Sequence, residues 1–428
     1  MSNMHIGILI YGVGHHLAAW KAHDSQIHRL GDISYYQSLA QTCERGKFDM
    51  IFFADNQAFN ATHENVMPAM WLDPIVKLSA ISQVTNNVGL VCTISGTFMN
   101  PYHVARQIQS LQHISKGRMG WNLVTSMTDE EAKNHSMEYL PAHAQRYEKA
   151  REFGTIIDKL FESWDEKDFI YNKENHQMIK HQNIQPINHM GKYFQVRGPL
   201  STPNSKYGKP IAMQAGASDE GLKLAAEQAD AVFSVSWNIS MAKRYRERLK
   251  QAEEKEGRKN KIKVLPGLVT YVAETEEEAY AKKQALDNML DIASSLKILE
   301  FFIHQDTSGW DLDAKVPDLP PLASFTGPKG RYETVLEIIK DKDPTVRELL
   351  GYLAAGGGHL TLIGTPEMIV DELEKWLKEG VADGFNLMPP TLSNSLDDFV
   401  KLIIPELQSR GLFREDYHTF TLREHLEI

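Results

Sequence analysis

The sequence predicts an α/β fold, a parallel (β/α)8 TIM barrel, on three observations. Eight short apolar runs alternate with helical patterns along 428 residues. Most runs lead directly into a helix. Polar residues gather just beyond the carboxyl ends of the runs. Alternation of this kind gives parallel strands joined by crossover helices, and a barrel with insertions reaches more than 400 residues. An open doubly wound sheet is the alternative for the same alternation.

The first run is His5–Ile10, bounded by Gly12 and Gly14, and an amphipathic helix over Ser34–Phe48 follows. Met50–Ala54 is the second strand and ends at Asp55. Pro74 after Asp73 opens a helix to Val84, because a first-turn residue has no N–H bond to lose. Val88–Thr93 and Met119–Val124 are strands three and four, with helices over His103–Ser115 and Ala142–Trp164. A polar stretch, about 165–209, interrupts the pattern. Pro210–Gln214, Ala231–Val235 and Lys263–Val272 resume it, followed by helices over Ser218–Gln228, Ile239–Glu256 and Glu276–Phe302. A second irregular stretch, about 303–358, carries Pro317, Pro320, Pro321 and Pro328. Thr365-Pro366-Glu367 then starts a helix with a hydroxyl cap, a proline and a first-turn acid. Gly384–Met388 is the eighth strand and Leu396–Arg410 the last helix. The irregular stretches read as insertions after strands four and seven of a single domain spanning 1–428.

Charge and cysteine content exclude several functions. With 46 Lys+Arg against 56 Asp+Glu the net charge is −10, which argues against general binding to nucleic acid or anionic membrane. The basic run Lys243–Arg248 alternates with apolar residues and reads as a solvated helix face. Cys43 and Cys92 form no CxxC pair and read as buried free thiols, one lone bridge being the alternative. No apolar run approaches the roughly 18 residues of a membrane span, and Met1–Ile10 lacks the features of a signal peptide. A cytoplasmic enzyme is expected.

The familiar nucleotide and metal motifs fail. Gly12-Val13-Gly14 follows the first strand, but Leu17 stands where a dinucleotide fingerprint needs its third glycine. His15-His16 are adjacent and no HExxH occurs, so no metal is expected. Gly356-Gly357-Gly358 is either an anion cradle or a flexible turn.

The strand ends carry the chemistry, as they do in barrels. Asp55, Thr93, Ser95, Asn122, Thr125, Gln214, Ser218 and Ser234 close five strands with mostly neutral hydrogen-bonding groups. Such a wall suits a flat heteroaromatic ligand, with Trp121, Met213 and Phe53 as apolar contacts. Ser218 starts a helix whose free N–H groups suit a phosphate, although it serves equally as an N-cap. His143 and Tyr147 share one helix face, either for that phosphate or as an ordinary aromatic pair.

The run Gly117-Arg118-Met119-Gly120-Trp121-Asn122-Leu123-Val124-Thr125-Ser126 resembles the signature of bacterial-luciferase-like, flavin-dependent monooxygenases, the group of the nitrilotriacetate, EDTA and dibenzothiophene-sulfone monooxygenases. Arg146-Tyr147, Gly191-Lys192-Tyr193-Phe194, Gln214-Ala215-Gly216-Ala217-Ser218, Gly364-Thr365-Pro366-Glu367 and Asp383-Gly384-Phe385-Asn386-Leu387 match in order. The resemblance implies a homodimer or homotetramer and reduced FMN (FMNH2) supplied by a separate NAD(P)H:flavin reductase. It also implies O2 as co-substrate, with chemistry through a C4a-hydroperoxyflavin on a small N- or S-containing compound. It places Asp55, Thr93, Ser95 and Asn122 at the flavin ring, and His143, Tyr147, Ala217 and Ser218 at its ribityl and phosphate end. His15 and His16, after the first strand, are the catalytic candidates on the substrate side, and the 303–358 insertion is expected to act as a lid. The chain departs from the family at Ser95-Gly96-Thr97, Asn134-His135-Ser136 and Lys206-Tyr207-Gly208, all around the pocket. A deazaflavin-dependent hydride-transfer oxidoreductase and a non-catalytic flavin-binding protein are the alternatives.

Overall fold

The computed structural model describes residues 4–59, 72–327, 329–392 and 394–428. Eight strands form the barrel: β1 His5–Leu9, β2 Met50–Phe53, β3 Gly89–Ser95, β4 Met119–Val124, β5 Ile211–Gln214, β6 Ala231–Ser234, β7 Lys263–Val272 and β8 Gly384–Leu387. Each pairs in parallel with its neighbours in chain order. β8 closes on β1, His5 beside Gly384 and Ile8 beside Leu387, so the sheet has no open edge there and the doubly wound alternative is excluded.

Alternation along the strands sorts the side chains into two cores. Met50, Phe52, Val91, Ile211, Met213 and Leu265 fill the interior. Ile6, Ile8, Ile51, Leu90 and Cys92 face outward against helices such as Ile33–Arg45 and Pro101–Ile114. Leu422 and Leu426, on the C-terminal segment, join the interior core, and the Leu422 N–H donates to Gly117 O at 3.1 Å at the start of β4. The amino end of the barrel is therefore plugged. Cys43 and Cys92 are free and buried.

The structure corrects several readings. The expected helix Glu276–Phe302 is two helices, Glu276–Asp287 and Ile292–Ile303. Asp291 starts the second by accepting the Ser294 N–H at 2.7 Å, and a side-chain cap of this kind interrupts a continuous apolar pattern. The 303–358 stretch contains helices Lys329–Lys342 and Val346–Ala354, the latter begun by a reciprocal Thr345–Glu348 capping box. The 165–209 stretch folds into two small antiparallel hairpins, Phe169–Asn172 with Gln177–Ile179 and His189–Met190 with Gln195–Val196. A further strand, Leu360–Gly364, pairs with the overhanging half of β7. The last helix is interrupted by a π turn, Phe399–Ile403, ahead of Pro405, which has no N–H to continue an α ladder. Among the described residues no helix is long and apolar enough to cross a membrane, and no cluster of potential metal ligands occurs.

Candidate active site

The interior side of β3 and β4 carries Thr93 and Asn122. The Asn122 Nδ2 donates to Thr93 Oγ1 at 3.3 Å. Asn122 is 3% exposed and its Oδ1 has no partner. A buried acceptor left open costs about 1–3 kcal/mol, and this oxygen is free to accept a hydrogen bond. Just beyond, Ser95 and Ser126 share a hydroxyl hydrogen bond at 2.9 Å, and Thr97 Oγ1 donates to Thr125 O at 2.7 Å. The ends of β3 and β4 are thus held together by neutral groups.

Asp55 follows β2. Burial raises its carboxyl pKa, while Gln57 Nε2 donates to it at 3.2 Å. His135 binds Gln57 Oε1 at 2.6 Å and stacks on Phe98 at 4.5 Å between ring centres. The family departure at Asn134-His135-Ser136 is therefore a clamp over the Asp55 loop, and Asn134 Nδ2 donates to Gln57 O at 2.8 Å within it.

The expected phosphate end is assembled from two helix starts. His143 begins helix His143–Phe161 and stands 4.8 Å from the Tyr147 ring. Its Nδ1 lies 3.9 Å from Glu220, in the first turn of helix Asp219–Gln228. Ser218 caps that helix by accepting the Gly221 N–H at 3.1 Å, and Ala217 is exposed beside it. The cap role of Ser218 is real, and the contact across the two helix starts is that of His143 with Glu220. Arg146, on the same helix as His143, donates from Nη1 to Pro141 O at 2.6 Å and keeps a buried Nε with no partner. Its only sequence signal was its place beside Tyr147.

The two histidines after β1 differ. His15 stacks on Tyr11, and its Nε2 hydrogen-bonds to Leu9 O at 2.8 Å, so Nε2 carries the proton and Nδ1 is the acceptor. Burial lowers its pKa to about 4. His16 accepts the Ala18 N–H on Nδ1 at 3.1 Å and meets Asp287 through Nε2 at 3.1 Å. Both of its ring nitrogens are engaged, and Asp287 is further held by Lys283.

Two of the expected apolar contacts lie elsewhere. Trp121, 2% exposed, and Phe53 belong to the outer core, because each is one residue out of phase with the interior positions. Met213 is interior. Arg118 of the signature is structural: its guanidinium makes five hydrogen bonds, to Ser115 O, Thr85 Oγ1, Val88 O, Ser82 O and Thr85 O, at the amino end of the barrel.

A parallel barrel with a plugged amino end and a neutral hydrogen-bonding carboxyl mouth defines a (β/α)8-barrel enzyme of the type that binds a flat polar cofactor. The family model described as luciferase-like monooxygenase matches residues 14–383. The chain belongs to the luciferase-like monooxygenase family. It is 38% identical over 426 residues to N-acetyl-S-(2-succino)cysteine monooxygenase of Bacillus subtilis (strain 168), covering 99% of this chain and 96% of that one. It is 37% identical to nitrilotriacetate monooxygenase component A of Aminobacter aminovorans, with 99% and 96% covered. Among solved structures it superposes on EDTA monooxygenase from Chelativorans sp. BNC1 with a TM-score of 0.84 and 30% identity, covering 100% and 98%.

Proposed function

We propose that the mouth binds reduced FMN and that the protein is the oxygenase half of a two-component monooxygenase acting on a small nitrogen- or sulfur-containing compound. The observation that carries this is the open Oδ1 of Asn122 beside Thr93, one of several buried polar atoms on the barrel strands, with Ser234, Thr270 and Asn386, that have no partner within the protein. When bound, the reduced flavin supplies two electrons to O2, so that one oxygen atom enters the substrate and the other leaves as water. Asn122, Thr93, Ser95 and Asp55 would hold the ring, and His143, Tyr147, Arg146, Ala217 and Ser218 the ribityl phosphate. Neutral His15 offers a proton acceptor to the substrate side at ordinary pH. His16 acts by fixing the β1 loop through Asp287. The helices of 303–358 would close the mouth and exclude water.

The missing dinucleotide fingerprint agrees with flavin delivered by a separate NAD(P)H:flavin reductase, and the relative named as a component A is consistent with such a pair. A homodimer or homotetramer and a cytoplasmic location belong to the same proposal. Anaerobic titration tests the cofactor: Asn122→Ala is expected to weaken FMNH2 binding by roughly tenfold, the worth of one buried hydrogen bond. Unchanged affinity would remove Asn122 from the ring site.

A further inference from the structure

We propose that Arg331 and His359 form a carboxylate subsite at the barrel mouth, and that the compound oxidised carries a carboxylate seated there. This rests on the flavin reading above and names the substrate class for it.

Arg331 opens helix Lys329–Lys342. Its Nη1 donates to Gly357 O at 2.7 Å, and its guanidinium lies 5.5 Å from the Phe302 ring centre. Burial lowers its pKa, and among the described residues no carboxylate stands within ion-pairing distance. Arg118 is the instructive contrast, since carbonyls and a hydroxyl occupy its whole guanidinium. Arg331 keeps most of its fork open, and an arginine fork matches a carboxylate with two parallel hydrogen bonds.

His359 is 2% exposed and its Nδ1 has no partner. Its ring stacks on Phe233 of β6 at 5.2 Å and 12°, and Phe233 meets Phe52 of β2 at 6.2 Å, which puts the imidazole inside the mouth. Burial, Arg331 and His15 all lower its proton affinity, and no acid opposes them. His15 and His359 are therefore uncharged at ordinary pH, and Arg331 supplies the positive charge beside them. A guanidinium left without a carboxylate partner attracts an anion.

The glycines make the room. Gly356, Gly357 and Gly358 have φ of 75°, 67° and 94°, a region that side chains disfavour. A Cβ on Gly357 would stand 2.9 Å from Arg331 Nη1, and one on Gly267 would stand 2.2 Å from His359 Nδ1. The subsite is separate from the expected phosphate end, which follows β4 and β5, whereas His359 packs on β6 and β7. The substrates named for the two curated relatives, N-acetyl-S-(2-succino)cysteine and nitrilotriacetate, are both polycarboxylates.

Calorimetry with N-acetyl-S-(2-succino)cysteine, nitrilotriacetate and succinate, on the FMN-loaded and the flavin-free protein, tests the assignment. At least one of the three is expected to bind the wild type. Arg331→Gln should weaken it by roughly 10- to 100-fold, the range for a lost charge-assisted contact. Arg331→Lys should weaken it less, and FMN affinity should stay unchanged in both. His359→Gln is the second probe if Arg331→Gln does not fold. No binding by any of the three, equal affinity in the variants, or loss of FMN but not riboflavin affinity in Arg331→Gln would each overturn the subsite. Failure of the wild type to bind FMN would instead overturn the flavin reading, and the flavin-free titration would still decide the carboxylate.

Discussion

At the scale of single residues, the site is built from groups kept neutral or left open. His15 titrates near 4 in the fold, and burial also lowers His16 and His359. An unfolded histidine takes up its proton near 6.5. Between about 6.5 and about 4 the unfolded chain therefore binds more protons than the folded one. The stability these residues lend is complete above about 6.5 and falls as the pH drops. Urea unfolding should show a lower midpoint at pH 5 than at pH 7.5, with the gap narrowed in His15→Asn. A midpoint that is level or higher at pH 5 would mean the rings are charged in the fold. At the other end of the site, Tyr147→Phe and His143→Gln should weaken FMN binding by several-fold while leaving riboflavin affinity intact, as read by flavin fluorescence. Equal losses for both ligands would take these residues away from the phosphate.

At the scale of elements, one motif divides into parts with different duties. In Gly117–Ser126 the alternation sends Asn122 into the barrel and Trp121 to the helices, while Arg118 ties the turn after Pro101–Ile114 to the start of β4. Arg118→Met should lower stability by about 3 kcal/mol or more, since it strands several buried acceptors, and leave FMN affinity of the folded protein unchanged. A variant as stable as the wild type in urea would show that water satisfies those carbonyls. The register of β7 has its own test. Gly267→Ala should cost about 1–3 kcal/mol by overpacking and displace His359, seen as a lower melting midpoint together with weaker carboxylate binding. A neutral outcome would mean His359 moves aside freely. Strand positions were legible because apolar runs bounded by glycine, proline and asparagine leave little choice of element. The break at 288–291 was not, because Leu290 and Ile292 continue the apolar pattern and only the Asp291 cap marks the new start.

At the scale of the whole molecule, closure of β8 on β1 and the Leu422–Leu426 plug leave the carboxyl end of the barrel as the ligand entrance. The barrel and Asp55, just past β2, were readable from periodicity, and so were Thr93 and Asn122, which lie two residues inside the ends of β3 and β4 rather than at them. The electrostatic influence of Arg331 on His359, and the contact of His16 with Asp287, were not. Each joins a helix residue to a loop residue far away in sequence, and nothing local in the chain pairs them. The Gly356–Gly358 run stood as either cradle or turn, and it becomes a close-packed turn beside a basic group. The central claim is that this mouth uses reduced FMN and O2 to oxygenate a small substrate. Single turnover with FMNH2, 18O2 and N-acetyl-S-(2-succino)cysteine or nitrilotriacetate tests it most directly, by mass spectrometry of the rapidly quenched product. The account predicts one 18O atom in each product molecule and none without the protein. Product formed without label, or conversion that proceeds in the absence of O2, would contradict it and point to hydride transfer.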